Sequence, residues 1–164
     1  MECPIQKFMK KIAAFFGCKK SCGSCCSDKK TCNKKLDLGL SADEKNILKN
    51  VDAKIVVGKI HEITAHTDPK VTKVQVTQTE IAPGKMVQIL CGAKNIAVGQ
   101  IVAVATVGTK LSEDFEIGAR KIRGVESNGM ICAKDELRLP KETDGIWELP
   151  KSFESVLGKS LKDL

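Results

Sequence analysis

This chain of 164 residues has no tyrosine, one tryptophan, five phenylalanines and two histidines. Between Val51 and Leu139 the sole aromatic residue is Phe115. Proteins that hold single-stranded nucleic acid without sequence preference stack its bases on aromatic platforms. So bare a supply argues against that activity. No apolar run is long enough to span a bilayer. The stretch Ile12–Gly17 is too short for the apolar region of a secretory signal. The expected compartment is therefore the reducing cytoplasm, where thiols stay free or bind metal. No nucleophile sits beside a base in the sequence, so an enzyme is not expected.

Charge and cysteine are both lopsided. Residues 1–36 carry nine lysines against Glu2 and Asp28, and the other 18 basic and 18 acidic residues cancel. The whole surplus of +7 thus lies in an N-terminal arm. A basic arm on a neutral domain suits a polyanion or an anionic surface. Six of the eight cysteines also fall there. Apolar residues at Ile5, Phe8, Met9, Ile12, Phe15 and Phe16 recur at helical spacing, which predicts an amphipathic helix over 4–17. That helix could pack on the β-domain, mediate self-association or add non-specific RNA affinity through its lysines; membrane contact is not expected. The run "CKKSCGSCC" that follows admits a structural zinc on Cys18, Cys22, Cys25 (or its neighbour Cys26) and Cys32. Zinc ribbons use two well-separated Cys-x-x-Cys pairs, and this cluster has one with loose neighbours. A thiol-rich basic tail is the plainer reading, and no cofactor is required.

Beyond the arm, hydrophobic content of 42% across the chain is enough for a packed core. Ser41 with Glu44 three residues on makes a capping box and starts a short helix in a linker over 37–50. From Lys54 the texture is β. "KIVVGKIHEI", "TKVQVTQTEI", "KMVQIL" and "IVAVATV" are β-branched or apolar runs separated by glycine and proline. This predicts a small all-β barrel or sandwich over 51–150, with a tail over 151–164. "DFEIGARKIRGVE" and "GMICA" read as two more strands reversed through Asn128-Gly129. Alternation along the first of them puts Lys121 and Arg123 on one face, with Arg120 and Ile122 on the other.

"VVGKI", "VQILCGAKNIAVGQIVAVATVGTKL" and "RKIRGVESNGMICAKDEL", in that order, resemble the tRNA-binding domain near the N-terminus of the bacterial phenylalanyl-tRNA synthetase β chain. The resemblance runs from about Val51 to Leu149 and includes "TDGIWELP". It implies a five-stranded OB-fold barrel with a short helix, which binds on one face and its bordering loops. It departs from the family at "HTDPKVTKV", where "HPNADKL" is usual, and at Arg138, where glycine is common. The length leaves no room for the other domains of a synthetase, so a stand-alone relative is expected.

The resemblance implies a non-catalytic tRNA-binding protein that acts in trans beside an aminoacyl-tRNA synthetase, with a homodimer, as in some stand-alone relatives, as one option. Candidate RNA contacts are Lys59, Lys73, Lys94, Lys110, Arg120, Lys121 and Arg123, with Asn95 and Ser127 as hydrogen-bonding partners for phosphate or 2′-OH groups. Met130 is read either as core packing or as an apolar contact to RNA. His61 and His66 read as incidental, although His66 lies in the first inter-strand loop. The competing reading is a protein-interaction scaffold derived from the same domain. The neutral charge of the β-region keeps it open.

Overall fold

The computed structural model describes residues 37–141 and 144–164. The expected helix over 4–17 and the cysteine cluster Cys18, Cys22, Cys25 and Cys32 lie outside the described residues. Helix α1 spans Ala42–Lys49, and its start follows the capping box. The Ser41 hydroxyl accepts from the Glu44 N–H at 3.3 Å, and the Glu44 carboxylate accepts from the Ser41 N–H at 2.8 Å. Those two bonds satisfy donors that no helical turn reaches. The helix is more than a linker, because Leu48 is buried in the core.

The main sheet is antiparallel. Its strands are β1 (Ile55–Ala65), β2 (Gln75–Ala82), β3 (Lys85–Cys91) and β4 (Ile101–Ala105). Strand β1 is long enough to serve two partners. Residues 55–59 pair with β4, and residues 59–65 pair with β2 through a ladder whose register shifts between Ile60 and Glu62. Two short hairpins follow, β5 (Lys110–Ser112) with β6 (Phe115–Glu116) and β7 (Arg120–Ile122) with β8 (Val125–Ser127). Strands β9 (Met130–Ile131) and β10 (Glu148–Leu149) then pair in tandem along the free edge of β4. No ladder joins β3 to β9. The gap is bridged by the Asn128 N–H donating to Gln88 O at 2.8 Å and the Gln88 amide donating to Glu126 O at 2.7 Å.

Strand β4 is buried at all five positions, which explains its unbroken apolar sequence. Val102 and Val104 face a cluster with Ile60, Ile89 and Ile131 inside the curled sheet. Ile101, Ala103 and Ala105 face the opposite cluster, covered by Leu48, Phe153 and Leu161. The residues that complete this second layer come from the stretch 151–164, expected to be a tail. It forms two 3-10 turns, Lys151–Val156 and Leu161–Asp163. It is also tied to β1: the Val57 N–H donates to Lys159 O at 3.0 Å, and the Gly158 N–H donates to Val57 O at 2.9 Å. Burial of Phe153, Val156 and Leu161 holds it there. No helix among the described residues is long and apolar enough to cross a membrane.

Candidate nucleic-acid interface

The turn after β7 falls at Arg123-Gly124, two residues between the paired Ile122 and Val125. Both turn residues have positive φ, 42° and 89°, the condition of a two-residue hairpin turn whose twist matches its strands. This corrects two expectations. Arg123 is not on a strand, so it shares no strand face with Lys121. Asn128-Gly129 does not reverse the chain; it steers β8 into β9. Glycine is needed at 129 because a Cβ there would lie 2.8 Å from Ala105 O.

The hairpin tip is clasped to the loop between β1 and β2. His66 is buried, and its Nδ1 accepts from the Asp68 N–H at 2.9 Å. That bond places the ring proton on Nε2, which lies 3.1 Å from Ile122 O and donates to it. The Asp68 carboxylate accepts from the Lys70 N–H at 2.9 Å and from Arg123 at 3.3 Å. A histidine read as incidental thus fixes two loops together. The signal for it was the Asp68-Pro69 turn directly after it, which orders the loop backbone around the ring.

The structure sorts the candidate contacts into three kinds. Three cations are engaged by carboxylates: Lys59 with Glu154, Lys121 with Glu126 at 3.8 Å, and Arg123 with Asp68. Exposed pairs of this kind are worth at most about 1 kcal/mol, so a phosphate can compete for Lys121 and Arg123. Lys59 is half-buried, the least accessible of the three. Lys73, Lys94 and Lys110 are exposed, and their side chains have no partner among the described residues. Lys73 O approaches the backbone at Gly92, which brings Lys73 and Lys94 to the same end of the sheet. Arg120 lies over the Phe115 ring, 5.8 Å from its centroid.

Two polar candidates have structural partners instead. The Asn95 side chain donates to Ile146 O at 3.0 Å and accepts from the Ile146 N–H at 2.9 Å. Ser127 is buried; its hydroxyl accepts from the Leu90 N–H at 3.0 Å and donates to Gly129 O at 3.1 Å. Both side chains are thus engaged with backbone groups of the fold; Ser127 is buried, whereas Asn95 is exposed. Met130 is half-buried against the core, and its side chain borders two neighbouring clefts.

A cavity of about 400 Å³ opens between α1 and the β5 region, floored by Ile47, Val51, Leu111 and Leu137. Asp52 on its wall accepts from the Lys110 and Lys54 backbone N–H groups, and these bonds hold its carboxyl below the usual aspartate range. Glu136 on the same wall is pushed up by burial. Burial also raises the Cys91 thiol and lifts Cys132 to about 12. The thiolate is the reactive form, so both should stay inert. We expect Cys91 and Cys132 to resist iodoacetamide in the native protein at mildly alkaline pH and to react in denaturant. Peptide mass mapping of the labelled sites checks this. Among the described residues, no group of three or more His, Cys, Asp or Glu is placed to hold a metal.

The fold and this site define a small antiparallel β-domain whose loops, fixed to one another by a buried histidine, carry cations at one end. A family model described as a putative tRNA binding domain matches residues 55–157, and the chain belongs to that family. The phenylalanine–tRNA ligase β subunit of Wolinella succinogenes is 44% identical over 128 residues, covering 77% of this chain and 16% of that subunit. That of Bacteroides thetaiotaomicron is 45% identical over 112 residues, covering 66% of this chain and 13% of the subunit. That of Chlorobaculum tepidum is 40% identical over 121 residues, covering 71% and 15%. The chain thus spans a sixth or less of the length of these relatives.

Proposed function

We propose that this protein binds tRNA as a folded RNA, through its phosphates and riboses, and catalyses no reaction with the described domain. The family match over 55–157 carries the reading, because it falls within the compact unit Lys35–Leu164. The connectivity supports an OB-fold reading. A long first strand is shared by two neighbours, and isolated hydrogen bonds from residues 126–128 reach β3 on the side where a fifth strand would lie. In that fold the ligand lies along β2 and β3 and the loops beside them. The clasped loops, with Lys73, Lys94, Arg120 and Arg123, border that face. Action in trans beside a phenylalanyl-tRNA synthetase fits the names of the relatives.

A competing interaction-scaffold reading draws on the neutral charge of 37–164 and on the carboxylates that already pair three of the cations. Competition binding separates the two. A tRNA reader of shape should be displaced by folded tRNA far better than by a single-stranded oligonucleotide of equal length. Equal displacement by both would leave only charge attraction, and no tRNA binding would favour the scaffold.

A further inference from the structure

Phe115 is the one aromatic side chain of the β-region before Leu139, and it is 41% exposed. Ile122, on the neighbouring hairpin, is 40% exposed. Leaving two large apolar side chains in water forgoes their burial, and both line the same cleft. That cleft has a volume of about 150 Å³, with Leu90 and Met130 among its lining residues. Alternation along β7 puts Arg120 on the same face as Ile122 and turns Lys121 away toward Glu126. Arg120 lies over the Phe115 ring, with its cation facing the π-system. The cleft therefore combines an aromatic wall, an aliphatic wall and a guanidinium at its rim.

We propose that this cleft is a subsite for one unpaired nucleobase, stacked on Phe115 between Arg120 and Ile122. The inference rests on the RNA-binding reading above and adds a base contact to it. A base has a flat π-face for the ring and edge acceptors for the guanidinium, while its phosphate stays outside with the loop lysines. The cleft is too small for a helix or a strand of protein. The acidic neighbours do not close it off. The Glu116 carboxylate points toward Gly108, where it lies 3.9 Å from the position of a Cβ, and Glu126 is engaged by Lys121. The shortage of aromatics that argues against general single-strand binding fits a single base pocket.

The test has two independent arms. In the first, adenosine 5′-monophosphate is titrated into the methyl-labelled full chain. Ile122 and Met130 methyl resonances should move by ring-current shifts, and ribose 5-phosphate should leave them in place. Equal shifts with ribose 5-phosphate would mean an anion site on Arg120 and overturn the base subsite. In the second, Phe115→Ala should weaken tRNA binding about 5- to 100-fold with an unchanged salt slope, while Phe115→Trp retains affinity. Wild-type tRNA affinity in Phe115→Ala would also overturn the proposal. If the native chain failed to bind tRNA yet kept the nucleotide-dependent shifts, the tRNA reading would fall and the base subsite would stand.

Discussion

Replacing Phe153 with alanine is expected to lower the unfolding free energy by about 3–5 kcal/mol. Phe153 is fully buried, and it sits in the cluster that joins α1, β4 and the C-terminal turns. Truncation removes the transfer energy of the ring and leaves a cavity within that cluster. The loss should spread, because Gly158 and Lys159, between the two turns, bond both backbone groups of Val57. Urea unfolding of the full chain measures the change. Phe153→Leu keeps most of the volume and should cost clearly less. Phe115→Ala, at an exposed aromatic, should stay within about 0.5 kcal/mol. Equal losses at 153 and 115 would mean that the segment 151–164 is not part of the core.

The second large effect is expected at Asn95. Its amide makes a paired contact with both backbone groups of Ile146, which is itself buried. Alanine would strand one N–H and one C=O, at about 1–3 kcal/mol each where water cannot replace the lost partner. The two groups together set an upper range of about 2–6 kcal/mol, and because Asn95 is exposed the loss of unfolding free energy in Asn95→Ala should fall in the lower half of it. Asn95→Asp keeps the acceptor for the Ile146 N–H but faces Ile146 O with a second acceptor, so it should fall between. At temperatures where Asn95→Ala remains folded, tRNA affinity should change little. A large affinity loss without a stability loss would restore Asn95 as an RNA contact.

Legibility in the sequence followed the range of the interactions. The capping box of Ser41 and Glu44 is local, and it placed the helix start correctly. The β-branched and apolar runs placed β1 to β4 for the same reason. The turn after β7 was misread because Asn128-Gly129 is the stronger local turn signal, while Arg123-Gly124 is the one that the strand register uses. Asn128 is committed elsewhere, its N–H donating to Gln88 O across the open side of the sheet. No local pattern reveals that bond. The burial of 151–164 was hidden likewise, since 3-10 turns carry no helical period. At the site, lysines gave their identity but not their partners. Glu154 is distant in sequence from Lys59, and only the fold brings its carboxylate there. Asn95 and Ser127 looked like RNA donors because a polar side chain in sequence does not show which backbone groups it serves.

The central claim is that this β-domain, with cations on its clasped loops, reads tRNA. Its most direct test is the salt dependence of tRNA affinity for the full chain and for the variant Lys73→Ala/Lys94→Ala/Lys110→Ala. These three lysines are exposed and without side-chain partners among the described residues, so the fold should survive their loss. Each phosphate contact contributes roughly 0.7–0.9 to the slope of log affinity against log salt. If all three meet phosphate, the variant should bind more weakly at low salt, with a slope shallower by about 2–3. Identical affinity and slope in the two proteins would contradict the account and leave the basic arm as the source of any RNA binding.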